Sequence, residues 1–271
     1  MSLDPKEQDQ RHRFDEVYAA SQSPVMLEIE RDVCGCAFGA TSWTTRAEAD
    51  RMRQLLRLQP GIGLLDVGAG AGWPALYIAQ TSGCDVTLAD TSEAGLRIAA
   101  ERAVAESLSG ACAFAAVDGA QLPFQDNSFD AVSHSDALCC LAPKRAVLTE
   151  CRRVVRPGGR MVFAVIAMAS GLDGMQRESV RAGGPEYIES EADYPTLLEQ
   201  TGWAVIERFD ISDAYALTCR GMIKAFEEKA ERLSAALGAA QHAERLAKLR
   251  LCLMTIENGW QVRELFTAVR N

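Results

Sequence analysis

The segment Leu64-Leu65-Asp66-Val67-Gly68-Ala69-Gly70-Ala71-Gly72 places three glycines at alternate positions straight after an apolar run. At a strand-to-helix turn, residues this small let a ligand approach backbone that a side chain would block, as nucleotide-type loops do. The spacing is G-x-G-x-G rather than the G-x-G-x-x-G of dinucleotide binders, and Trp73-Pro74 follows, proline suiting a first helical turn. Asp90 ends the next apolar run about twenty residues beyond the loop, where a carboxylate can accept both hydroxyls of a ribose. A helix N-cap is the other use of that position, and Thr91 or Ser92 could equally supply it. Asp118 closes a third run in the same way, followed by Gly119-Ala120. In a parallel sheet all three points fall along one edge, so their coincidence favours a ligand.

Those residues need a frame, and the periodicity supplies one. Short apolar runs at Ile62 to Val67, Asp85 to Ala89, Cys112 to Val117, Phe129 to His134 and Arg160 to Ala167 read as strands. Between them, Trp73 to Gln80, Glu93 to Ser107 and Lys144 to Val155 carry helical spacing, the last stopped by Pro157-Gly158-Gly159. Strands alternating with such helices imply a parallel sheet covered on both faces. Ahead of this core, residues 1–45 read as an N-terminal helical cap and an aperiodic loop, Cys34 to Thr45; Thr45 is the expected N-cap of a helix reaching Leu58. Residues 46–271 would form one catalytic domain. Gly171 to Gly184 has the composition of a mobile connection, followed by a helix near Asp193 to Thr201 and a strand Ala204 to Phe209. Helical spacing over about 213–259, before a last strand Glu264 to Val269, makes an insertion far longer than an ordinary connection and a candidate lid.

Bulk properties narrow the class. The longest apolar stretches fall short of the ~20 residues of a membrane-spanning helix, and the polar N-terminus lacks the apolar core of a secretory signal. Nine cysteines, an odd number without framework spacing, fit a reducing compartment, so a cytoplasmic location is expected. A formal charge of −9 opposes attraction to phosphate backbones and favours a small-molecule partner over nucleic acid. Cys34, Cys36, Cys139 and Cys140 invite a soft-metal reading, but Cys-x-Cys and Cys-Cys are not structural zinc spacings, and buried thiols act as small hydrophobes; no metal is expected.

Taken in order, LLDVGAGAG, Asp90 after a second strand, VDGAQLPFQDNSFDAV (Val117 to Val132) and RRVVRPGGRMVF (Arg152 to Phe163) resemble the class I S-adenosylmethionine-dependent methyltransferases, over about Gln59 to Ala167. The closest likeness is to the small-molecule group that includes quinone C-methyltransferases and glycine/sarcosine-type N-methyltransferases. This resemblance implies a Rossmann-like α/β fold, a seven-stranded mostly parallel sheet in order 3-2-1-4-5-7-6 with the last strand antiparallel. It also implies that Asp66 and the backbone of Gly68, Ala69 and Gly70 hold the methionine moiety. Asp90 with Thr91 would take the ribose, and Asp118, Gly119 and Ala120 the adenine. His134 to Asp136 would lie beneath the sulfonium, with Ser135 between them. Ala69 stands where family members often carry Cys or Gly.

Methyl transfer from S-adenosylmethionine, leaving S-adenosylhomocysteine, is an in-line displacement at an already activated carbon. The enzyme's work is to align the acceptor, exclude water and sometimes remove a proton. His134 is the candidate base, or a strand-end histidine with a structural role. Asp136 could orient a cationic or hydroxyl-bearing acceptor, or cap the next helix. Trp43-Thr44-Thr45 could fold over the methionine end of the cofactor. Tyr187, Tyr215 and Trp260 are candidates for an acceptor pocket, by cation–π contact if the acceptor is an amine. The segment Ser133 to Leu138 lacks the Asn/Asp-Pro-Pro-Tyr sequence of enzymes that methylate planar nitrogens. Two other readings stand beside this one: a non-catalytic S-adenosylmethionine-binding protein, and a nicotinamide-dependent oxidoreductase, which the loop spacing and the LPFQDNSFD segment disfavour.

Overall fold

In the computed structural model, residues 5–39 and 41–271 are described, with side chains from residue 13 onward. Residues 1–4 and Ala40, which fall in the expected cap and loop, lie outside the described residues. Two helices, α1 (Pro5–Ser21) and α2 (Pro24–Cys34), precede α3 (Arg46–Leu56). Thr45 starts α3 as its sequence implies: its hydroxyl accepts from the Glu48 N–H at 3.3 Å, and Glu48 Oε2 accepts from the Thr45 N–H at 2.7 Å. Then β1 (Gly63–Val67), α4 (Ala75–Ser82), β2 (Asp85–Asp90), α5 (Glu93–Glu106), β3 (Cys112–Ala116) and β4 (Phe129–Ser135) alternate. A 3₁₀ turn, Leu138–Cys140, leads into α6 (Lys144–Val154) and β5 (Val155–Met168). The chain finishes with α7 (Gly174–Gly183), α8 (Tyr194–Gln200), β6 (Trp203–Asp210), α9 (Ser212–Glu228), α10 (Ala230–Leu237), α11 (Ala239–Glu257) and β7 (Gln261–Arg270).

The described strands form one seven-stranded sheet in the order β3-β2-β1-β4-β5-β7-β6, with β7 antiparallel to both neighbours and the other pairings parallel. Period-2 alternation divides the interior strands between two cores. Leu65, Val132, Phe163, Val165 and Phe266 face one; Leu64, Ala131, Val162, Ala164 and Leu265 face the other. Because both faces are covered, these strands read as continuous apolar runs rather than alternating ones. Two expectations need correction. Strand β5 begins at Val155, not Arg160: Val155 pairs with Phe129, the chain then bulges through Pro157-Gly158-Gly159, and Arg160 rejoins opposite Ala131. The Gly171 to Gly184 stretch is not an irregular connection, since it contains α7, fixed by a capping box in which Asp173 and Gln176 exchange bonds of 2.8 and 2.9 Å.

Helices α9, α10 and α11 lie between β6 and β7 and pack at the carboxyl side of the sheet with α2. Val25 and Ile29 of α2, Phe226 of α9 and Leu233 of α10 form a small apolar core of their own. Burying such a group of large side chains contributes about 1.5–3 kcal/mol each, which is what holds these helices over the sheet edge.

Candidate active site

Gly68 has φ 75, the left-handed region that glycine adopts without strain, and a Cβ there would sit 2.6 Å from Ala137 Cβ. Its N–H and that of Ala69 donate to Ala89 O at 2.8 and 3.2 Å, which fastens the loop to the end of β2. Asp90 completes the fastening: Oδ2 accepts from the Gly70 N–H at 2.8 Å, and Oδ1 from the Ser92 N–H at 2.7 Å. Its carboxylate therefore sits in one orientation with lone pairs left over. Burial holds its pKa above the ordinary range. Asp118 is fixed likewise, its Oδ1 accepting from the Ala120 N–H at 2.8 Å.

A cavity of about 190 Å³ opens at the carboxyl ends of these strands, lined by Gly68, Asp90, Thr91, Asp118, Gly119 and Ser135 among others. Trp43 and Ala69 border it as well. Phe14 and Tyr18 of α1, stacked at 5.9 Å, cover it from outside; the sequence reading did not single them out. Asp90, Asp118 and Asp136 line the cavity, and none of its described lining residues is cationic. These carboxylate acceptors suit a hydroxyl-bearing cation and would repel a pyrophosphate.

Several expected residues stand behind the lining rather than on it. Asp66 is 2% exposed and accepts from the Ser133 hydroxyl; desolvation pushes its pKa up to about 7. Gly70 meets Tyr18, whose hydroxyl would lie 2.3 Å from a Cβ at that position, so its small size serves the α1 cover. The Thr44 carbonyl accepts from Trp73 Nε1 at 2.7 Å, and its hydroxyl bonds Ser135, which also lies 3.2 Å from the Ser42 hydroxyl. His134 is not brought to the cavity. Alternation along β4 turns it to the face opposite Ser133 and Ser135, where it stacks on Phe163 at 4.4 Å. Neither ring nitrogen has a hydrogen-bond partner among the described residues, and burial drives its pKa down to about 3. It is an uncharged core residue, poorly placed to take a proton from an acceptor.

Asp136 is buried at φ 55 and is claimed by Arg263 of β7, which has no exposed surface. Arg263 Nε donates to Asp136 Oδ1 and Nη2 to Oδ2, both at 2.9 Å; Nη1 donates to Glu48 Oε1 and Nη2 to Thr44 Oγ1, again at 2.9 Å. This fully bonded guanidinium ties the end of β4, the Trp43-Thr44 loop and the start of α3 together. Sequence reasoning missed it. The available signal was an arginine near the start of β7 at the same parity as buried Leu265.

A second cavity of about 350 Å³ lies under α2, α9 and α11, and shares Phe14, Thr41, Ser42, Trp43, Cys140 and Pro185 with the first. Tyr215 is on its wall, edge-on to Trp43 at 5.0 Å, its hydroxyl 3.1 Å from Cys252 Sγ and accepting from Gln261 Nε2 at 3.2 Å. Hydrogen bonding, from Cys219 first, lowers the Cys252 thiol below its ordinary pKa. Tyr187 and Trp260 line neither cavity: the Tyr187 carbonyl accepts from buried Lys144 Nζ at 2.7 Å, and Trp260 packs against the core. Cys34 and Cys36 are buried with thiol pKa values pushed up by burial; Cys140 borders both cavities.

A glycine loop and strand-end carboxylates on a sheet of this order define a Rossmann-like α/β protein built to hold an adenosyl group. Residues 65–163 match the methyltransferase domain family. Methyltransferase GfsG of Streptomyces halstedii is 30% identical over 185 residues, 66% of each chain. The 27-O-demethylrifamycin SV methyltransferase of Amycolatopsis mediterranei is 30% identical over 212 residues, 76% of this chain and 77% of that one. Among solved structures, the cyclopropane synthase MmaA2 of Mycobacterium tuberculosis superposes with a TM-score of 0.79 at 16% identity, over 100% of both chains. A phosphoethanolamine N-methyltransferase 2 of Haemonchus contortus, in complex with S-adenosyl-L-methionine, gives 0.75 at 20% identity, over 95% of this chain and 60% of that one. The chain belongs to the S-adenosylmethionine-dependent methyltransferases.

Proposed function

We propose that this enzyme methylates a small molecule seated in the second cavity, the methyl passing where the two cavities share a wall. The observation that carries this is the shared wall itself, because in-line displacement needs donor and acceptor in contact along one axis. S-adenosylmethionine, when bound, supplies an electrophilic methyl on a sulfonium. Asp90, with Thr91, is assigned to the ribose hydroxyls. Asp118, with Gly119 and the Ala120 turn that orients it, is assigned to the adenine. Gly68 and Ala69 backbone and buried Asp66 are assigned to the methionine end, beneath Ser135 and the Trp43-Thr44 loop. Arg263 positions that loop and Asp136. Tyr215 is assigned to the acceptor, and α1 with the α9 to α11 insertion excludes water. Residues 1–45 act as a cap on a catalytic domain of residues 46–271.

A cytoplasmic location is supported by nine cysteines that are all unpaired. Among the described residues no helix is long and apolar enough to cross a membrane. The assignment is tested by mixing the protein with S-adenosylmethionine and matched amines, phenols, quinones and acids, and measuring S-adenosylhomocysteine release. Turnover with at least one class is expected. Uniform inactivity, with the cofactor shown to be bound, would contradict it.

A further inference from the structure

Arg245, Lys248, Leu249 and Cys252 of α11 line the second cavity at i, i+3, i+4 and i+7, so one face of that helix forms its wall. The facing residues are apolar: Met26 and Ile29 from α2, Met222 and Phe226 from α9. Arg245 is partly buried, and desolvation lowers its pKa, so its charge has been placed beside the cavity at a cost. Neither Arg245 nor Lys248 makes a hydrogen bond or ion pair with a described residue. Glu244, its neighbour in sequence, is the carboxylate whose charge bears on Arg245, and Lys248 bears on Cys252.

Glu30 is the carboxylate on the cavity lining, and it is already engaged. It accepts from the Gly39 N–H at 2.6 Å and from the Cys36 thiol, and it faces the charge of Arg102. Of the three charged residues on this cavity's lining, the two without a bonded partner among the described residues, Arg245 and Lys248, are both cations. We propose that the acceptor is a largely apolar molecule bearing an anionic oxygen group, which Arg245 and Lys248 hold while the apolar body reaches toward Trp43 and Cys140. This rests on the methyltransferase reading for the word acceptor, but the binding preference itself does not.

The test is calorimetric titration of the full chain with dodecanoate, dodecan-1-ol and dodecylamine, with and without saturating S-adenosylhomocysteine. A charge-assisted hydrogen bond in a partly buried site predicts dodecanoate binding about tenfold or more tighter than the alcohol, with the amine weakest. In the double variant R245Q/K248Q the carboxylate advantage should vanish while the alcohol binds as before; R245K should keep most of it. S-adenosylhomocysteine affinity of each variant reports whether the fold is intact. Equal binding of acid and alcohol to the unaltered chain, tighter binding of the amine, or an advantage that survives in the double variant would overturn the proposal. Absence of S-adenosylhomocysteine binding would instead strike the methyltransferase reading and leave the anion preference to be read by itself.

Discussion

The two cavities are built on different principles. The donor cavity is built around residues at strand ends: Gly68, Asp90 and Asp118 are each one step past an apolar run, and backbone hydrogen bonds set their geometry. The acceptor cavity is made of side chains from α1, α2, α9 and α11, which meet only once the chain has folded. A site of the first kind is fixed by the sheet and tolerates little change. One of the second kind can be relined by substitutions on helix faces without disturbing the sheet, so one fold can carry many acceptors.

Arg263 joins the two regions, and breaking it should have the largest effect. Arg263→Met leaves buried Asp136 and half-buried Glu48 without their shared partner, and should lower stability by about 3–5 kcal/mol in urea unfolding. A loss under 1 kcal/mol would mean that those carboxylates find water or new partners. Confined to the donor side, Asp90→Ala should weaken S-adenosylhomocysteine binding by about 1.5–3 kcal/mol, the range for hydrogen bonds to a charged group, and leave dodecanoate binding unchanged. If both ligands weaken together, the cavities are not separable.

Next comes pH. His134 has its pKa depressed from 6.5 to about 3 by burial. A depressed folded value gives stability that is whole above pH 6.5 and is lost as pH falls toward 3, because the unfolded chain takes up the proton first. Relative to His134→Phe, the unaltered protein should lose about 2 kcal/mol between pH 8 and pH 5. Asp66, raised to about 7, acts in the opposite direction in both proteins and cancels in the comparison. Parallel stability curves would show that the imidazole is hydrated. Smallest, Thr45→Ala should cost about 1 kcal/mol through loss of the α3 cap, with the donor affinity barely moved.

Legibility in the sequence follows the same division. The strand-helix alternation and the loop-and-carboxylate edge could be read because each element carries its own local signal, whereas the sheet order came with the family resemblance. Gly171 to Gly184 misled because its glycines flank a helix whose start depends on Asp173 and Gln176 capping each other. His134 and Ser135 are adjacent in sequence, yet strand parity sends one to the core and the other to the cavity. Tyr18 lies in a strongly polar segment, and only its packing on Gly70 and Gly95 marks it. Arg263 and Asp136 are 127 residues apart, beyond any local pattern.

The most direct measurement is calorimetric titration of the purified chain with S-adenosylmethionine, S-adenosylhomocysteine and NAD. A carboxylate-lined cavity with no cation among its described lining residues predicts micromolar binding of the first two at one site per chain, and none of NAD. Binding of NAD in the absence of any S-adenosylmethionine binding would contradict the account.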